Sequence, residues 1–128
     1  MIGSTRNLKV FAYAKPTDMR RGYNGLFAMA RDQVGQDPLN GHAFLFVARN
    51  RKRCKVLRWD GTGLCIYMKR LEQGCFVAPW QRAAGDVVEM TMTELALFLE
   101  GSKAVLRRKL SPEEFFPRRI RSRTLGQG

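Results

Sequence analysis

The chain is poor in the side chains that usually do chemistry. Its 128 residues contain a single histidine, His42, and three cysteines, Cys54, Cys65 and Cys75. An odd cysteine number without close spacing excludes a disulfide framework and suits a reducing compartment. It also excludes a zinc site, which asks for about four soft ligands, usually in C-x-x-C-like pairs. All three cysteines fall on or beside expected strands, so they read as small buried apolar side chains. The serines are Ser4, Ser102, Ser111 and Ser122, all near the ends and none in a G-x-S-x-G elbow. His42, between Gly41 and Ala43 at a strand start, reads as a surface or capping residue. No phosphate loop occurs, because Gly61-Thr62-Gly63 has neither the length nor the lysine. Long apolar runs are also missing, so no transmembrane helix is expected, and Met1–Arg6 lacks the apolar core of a signal peptide. A cytoplasmic protein without cofactor or metal is the expectation.

Acidic residues are scarce as well: 11 against 23 Lys and Arg, a net charge of +12. Such an excess concentrates polyanions and suits nucleic acid. Residues 102–128 hold 8 of the basic and 2 of the acidic groups, so half of the net charge sits in the last fifth of the chain. That is the pattern of a folded body with a basic extension. A second concentration lies at 49–55 (RNRKRCK), where five of seven residues are cationic.

With 45% apolar residues the chain can build a core. Residues 8–14 (LKVFAYA) alternate as a strand stopped by Pro16. Thr17 or Asp18 then caps a helix on which Met19, Tyr23, Leu26, Phe27, Ala30 and Val34 recur at helical spacing. Gly22 and Gly25 weaken that helix by roughly 1 kcal/mol each and suit a close approach to the sheet or a partner. Gly35-Gln36-Asp37-Pro38 ends it. Strands are expected at Ala43–Ala48, Cys54–Trp59 and Leu64–Lys69, joined by the turns Asn50–Arg53 and Asp60–Gly63 into an antiparallel meander. A tight Asp60–Gly63 turn puts Leu57 beside Tyr67 and Trp59 beside Cys65, with Val56, Arg58, Ile66 and Met68 on the other face. Both faces of this hairpin carry apolar groups, which invites cover from both sides, one of them by another subunit. Leu71–Gly74 is a turn, Cys75–Val77 a short strand and Asp86–Met90 the last strand. Thr91-x-x-Glu94 has capping-box spacing before a helix whose apolar face is Leu95, Phe98 and Leu99, with Gly101 as its C-cap. Further on, Lys103–Leu110 extends or restarts a helix, Ser111-Pro112 resembles another cap, and Arg118–Gly128 is expected to be mobile. Together these readings predict a single α+β domain at 1–101, with an antiparallel sheet of about five or six strands. One helix follows the first strand and one the last, and a basic extension occupies 102–128.

The cations proposed to meet nucleic acid are Arg49, Arg51, Lys52, Arg53 and Lys55 at one hairpin end, with Lys69 and Arg70 opening the next turn. Trp59, Tyr67 and Phe76 are the aromatics available to stack on unpaired bases, though aromatics on strands are more often core. Two alternatives stand beside DNA binding. One is a protein-interaction module in which Arg20, Arg21, Lys69 and Arg70 meet acidic patches on a partner. The other is a metal nuclease using Asp18, Asp60 and Glu72, although acids at these places also suit turns and caps.

Several blocks appear in a recognisable order: TDMRRGYNGL at 17–26, Asp37-Pro38 with Gly41-His42, Phe44–Phe46, Val56-Leu57, WDGTGL at 59–64, KRLEQG with Phe76 at 69–76, and Leu95 through Leu99-Glu100-Gly101. With these blocks, roughly 8–101, the chain resembles the small TnpB-type accessory proteins of the IS66 family of bacterial insertion sequences, which are unrelated to the RNA-guided nucleases sharing that label. The chain departs from the usual pattern at Ala78-Pro79-Trp80, at Arg58 and at Cys75. The resemblance implies a helper in transposition beside a separate, larger transposase. With the basic hairpin and extension, the expected function is a non-catalytic accessory protein whose partners are element-end DNA, that transposase and the element's other accessory protein. A homo-oligomer is compatible with this. Asp18, Arg20, Trp59, Asp60, Gly61 and Glu72 match by position, and no catalytic role comes with them.

Overall fold

The computed structural model describes residues 8–101. The predicted basic extension, with its helix at Lys103–Leu110 and cap at Ser111-Pro112, lies outside the described residues. Alternating and apolar segments form five strands: β1 (Lys9–Tyr13), β2 (Ala43–Val47), β3 (Arg53–Trp59), β4 (Leu64–Arg70) and β5 (Val87–Thr91). They make one sheet in the order β4-β3-β2-β1-β5. The β2–β3–β4 meander is antiparallel throughout, and β5 also runs antiparallel to β1. The β1–β2 pair is parallel, Val10 opposite Ala43 and Ala12 opposite Leu45. The sheet is therefore mixed, not antiparallel as the sequence suggested. The physical cause is the long connection between β1 and β2, which carries a helix across one face as parallel pairing requires.

That helix is α1 (Tyr23–Met29), continued by a π-helical turn over Ala30–Val34. It ends at Gly35 in the left-handed region (φ 81°), where the Gln36 N–H reaches back to the Ala30 carbonyl. The helix starts later than the expected cap. Asp18 accepts from the Arg20 N–H in a tight turn, and Gly22 becomes an N-cap without a side-chain bond. Gly25 does not lie against the sheet: a Cβ there would stand 3.2 Å from the Arg21 Cβ.

On the α1 face Leu26, Ala30 and Val34 pack on Phe11, Tyr13, Phe44, Phe46 and Leu57. Helix α2 (Met92–Phe98) covers the opposite face, with Leu95 and Phe98 over Val10, Ala12, Leu45, Val47 and Val56. Its capping box is complete: Thr91 Oγ1 accepts from the Glu94 N–H (3.0 Å), and Glu94 Oε1 accepts from the Thr91 N–H (2.8 Å). Each face of the sheet is thus closed by a helix of the same chain, and β2 is buried along its whole length. No helix among the described residues is long and apolar enough to cross a membrane.

Three further expectations need correction. Cys75–Val77 pairs with no strand; Phe76, fully buried and stacked on Phe98 at 5.1 Å, anchors it as an irregular segment. The β3–β4 register differs by one residue: Trp59 opposes Leu64 and Leu57 opposes Ile66, the pairing that the four-residue Asp60–Gly63 turn itself sets. Since side chains alternate, this slip moves Ile66 to the Leu57 face and Tyr67 to the Val56 face. Only Cys54 is a buried thiol, pushed up to about 12 by its burial, whereas Cys65 is exposed and Cys75 half-buried.

Candidate nucleic-acid interface

The basic end of the sheet is assembled from three chain segments. The β2–β3 turn is shaped by Arg51, which adopts a left-handed conformation (φ 60°) unusual for a side-chain-bearing residue, with its N–H on the Ala48 carbonyl. Asn50 Oδ1 accepts from the Lys52 N–H and tightens the same turn. Beside it lies the segment after β4. The Leu71 N–H donates to the Lys52 carbonyl (2.8 Å), and the Phe76 N–H to the Arg51 carbonyl (2.7 Å). The third segment is the chain between β1 and α1, held here by the Thr17 N–H on the Val47 carbonyl (2.9 Å) and by Lys55 Nζ on the Arg21 carbonyl (2.7 Å).

The seven cations singled out from sequence do not share one role. Lys69 donates its ammonium to the Leu99 carbonyl (2.7 Å), closing the end of α2. Lys52 Nζ bonds the Gly74 carbonyl (3.0 Å), Lys55 is committed to Arg21, and Arg51 leans on the Phe76 carbonyl (3.5 Å). Arg70 makes an exposed pair with Glu72 (3.2 Å). Arg49 and Arg53 are exposed and make no side-chain hydrogen bond or ion pair among the described residues. Arg20, 91% exposed, and Arg21 join this end, though they stand some thirty residues earlier in the chain. Nothing local in the sequence signals that neighbourhood; the crossover through α1 creates it.

Arg53 and Arg70 are directly opposite each other across β3 and β4. The Leu71–Lys52 bond at one end of the hairpin and the Asp60–Gly63 bond at the other fix the alternation of the ladder. Arg53 and Arg70 thereby occupy a non-hydrogen-bonded pair, the closer kind, with Cα atoms about 4.5 Å apart. Two exposed like charges in that position repel, and Glu72 offsets only part of the repulsion. An anion laid between the guanidinium groups relieves it.

The opposite end of the hairpin holds Trp59-Asp60-Gly61-Thr62-Gly63, and it is saturated. Asp60 Oδ1 accepts from the Thr62 N–H (2.8 Å), the Gly63 N–H (2.9 Å) and Thr62 Oγ1 (3.0 Å), while Oδ2 lies 3.5 Å from Cys65 Sγ. The Thr62 and Gly63 amides hold this carboxyl well below the usual carboxylate range. Gly61 turns the chain at φ 104°. Trp59 is half-buried at the end of β3. His42, near this end, accepts the Lys9 N–H on Nδ1 (3.1 Å) and has its pKa lowered by burial and by Lys9.

The acids weighed for a nuclease are divided between the two ends. Asp18 and Glu72 stand at the basic end, and Asp60 lies beyond the length of β3, roughly 20 Å at the usual strand rise. The three cannot share a cation. Asp18 is clamped by the Arg20 guanidinium (2.8 Å to Oδ2), which with the Arg20 N–H keeps its carboxyl ionised far into acid. Among the described residues no group of acids, His and Cys has the geometry of a metal site. Of the aromatics considered for stacking, Phe76 is excluded by complete burial, while Tyr67 is 52% exposed.

Comparison with known proteins agrees with the motif order. The family described as "IS66 Orf2 like protein" matches residues 8–109, a few residues past the end of the motif blocks. The chain is 35% identical over 101 residues to the uncharacterized protein y4jC of Sinorhizobium fredii, covering 79% of this chain and 85% of that one. It is 34% identical to the uncharacterized protein y4hO of the same organism, over 79% of this chain and 86% of the relative. No solved structure matches.

Proposed function

This chain belongs to the IS66 Orf2-like family, and from that premise we propose that it is a non-catalytic accessory protein of insertion-sequence transposition that grips DNA with the basic end of its sheet. The observation that carries this reading is the close Arg53–Arg70 pair, flanked by Arg49 and Arg20. Like charges directly opposite each other on neighbouring strands repel, and phosphate is the anion a duplex offers in a row. Contacts of this kind position a protein on the backbone and read no sequence. The strand-breaking chemistry then belongs to the transposase beside which this chain acts. Residues 8–101 supply the DNA-contacting body, and the basic segment 102–128 adds charge for the same partner.

The test is a fluorescence-anisotropy titration of element-end duplex across a salt series. With about five phosphates neutralised, log affinity falls with log salt at a slope near −4 to −5. Absence of binding at low salt removes DNA from the proposal. Much tighter binding to single-stranded RNA than to duplex redirects it to RNA.

A further inference from the structure

Over its first five residues β4 is an edge strand without the usual protection, its two charges, Lys69 and Arg70, standing at the far end. Among the described residues no strand pairs with its outer side. It pairs with β3 over seven consecutive residues without a bulge, and its first five residues, Leu64–Met68, carry no charge and no proline. Soluble proteins ordinarily blunt such an edge with lysine, proline or a bulge. Two large apolar side chains are exposed on it, Tyr67 (52%) on the α2 side of the sheet and Met68 (55%) on the α1 side. The other edge, β5, has a gatekeeper: Glu89 at its centre, paired with Lys9.

We propose that β4 pairs antiparallel with β4 of a second copy about a two-fold axis at Tyr67. The backbone permits it. The ladder alternation fixed by the Leu71–Lys52 and Asp60–Gly63 bonds leaves the N–H and C=O groups of Leu64, Ile66, Met68 and Arg70 pointing away from β3. In the two-fold register Ile66 meets Met68 of the other copy and Leu64 meets Arg70, so outward-facing groups find outward-facing groups along the whole strand. Tyr67 then faces its own symmetry mate in a non-hydrogen-bonded pair. The charges agree with a second copy as occupant: the Lys69-Arg70 end of one strand lies against the neutral Leu64-Cys65 end of the other. No like charges are opposed, whereas sliding the register toward the basic end brings Lys69 against Lys69. A two-fold interface of this kind closes on itself. It joins the two sheets into one of ten strands and places the two basic ends at opposite margins.

The test uses the full chain. An edge pairing is smaller than the standard interface of about 1,600 Å², so sedimentation equilibrium should span concentrations up to about 100 μM. We expect a monomer–dimer equilibrium, and Met68→Lys, which restores a gatekeeper at an exposed site, should weaken dimerisation about tenfold or more. In a Cys65→Ser/Cys75→Ser background, Tyr67→Cys should form an intermolecular disulfide with diamide, because Cα atoms about 4.5 Å apart can be bridged. Tyr23→Cys, equally exposed on α1, should not. A wild-type chain that stays monomeric throughout the series overturns the dimer. So does unchanged dimerisation of a natively folded Met68→Lys chain, or crosslinking of Tyr67→Cys no faster than of Tyr23→Cys. These readouts contain no nucleic acid and stand or fall apart from DNA binding.

Discussion

The two ends of the β3–β4 hairpin are built from the same strands yet solve opposite problems. The WDGTG end is closed: one carboxylate, Asp60, absorbs two backbone N–H groups and a hydroxyl of its own turn, and Gly61 supplies the positive φ. The basic end is open: three segments distant in sequence converge, Arg53 and Arg70 are opposed at short range, and Arg49 and Arg53 have no side-chain partner among the described residues. A family motif and an open charged surface are therefore different things. WDGTG sets the register that fixes which residues face each other eight positions away, and the basic end uses the result.

The basic end depends most heavily on Phe76, which lies beneath it with its N–H on the Arg51 carbonyl. Phe76→Ala removes the ring stacked on Phe98, and a loss of about 3–5 kcal/mol is expected by denaturant titration. A loss within about 0.5 kcal/mol would show that the KRLEQG turn is held without this anchor. Next in size, Arg49→Ala/Arg53→Ala should flatten the DNA salt slope by about two while leaving stability within about 0.5 kcal/mol. Equal losses of DNA affinity from Asp60→Ala and from the double variant would abolish the distinction between the ends. Gly61→Ala, which must hold a φ of 104°, should cost about 1 kcal/mol and leave DNA binding unchanged.

The smallest expected effect is in acid. The folded-state pKa values of Asp60 and Asp18 are depressed, so their contribution to stability is fully present above the ordinary aspartate value near 4. It is lost as pH falls below that value toward the folded pKa. Thermal melts between neutral and acid pH should show a shallower acid decline in Asp60→Asn than in wild type. Identical declines would mean that the turn does not depend on the ionised carboxylate.

Much of this architecture is legible in local chemistry. Thr91 and Glu94 announce a capping box and form one, and alternation marks the β2–β3–β4 meander. The parallel β1–β2 pair is not legible, because strand direction depends on how a long connection crosses the sheet, and no residue of either strand encodes that. The register slip has a different origin: the Asp60–Gly63 turn forms as expected, but pairing Trp59 with Cys65 across it is one residue out, and the hydrophobic pattern does not reveal this because both faces of β3 carry apolar groups. Among the site residues, the charge of Arg49–Lys55 is plain in the sequence, but its division of labour is not. Lys69 resembles its neighbours in a string of cations, yet it closes α2 because the Leu99 carbonyl happens to lie above it.

The sequence by itself determined the net charge, the shortage of catalytic side chains, the capped helix and the ordered motifs that place the chain in its family, since these depend only on residue identity and spacing. Only the tertiary structure decided which cations lack a partner among the described residues, that Asp60 stands a strand's length away from Asp18 and Glu72, and that none of the five strands covers the outer edge of β4. Those are distances between segments far apart in the chain, and they are set by strand order and register, which bring residues such as Arg20 and Arg53 to one end while carrying Asp60 to the other.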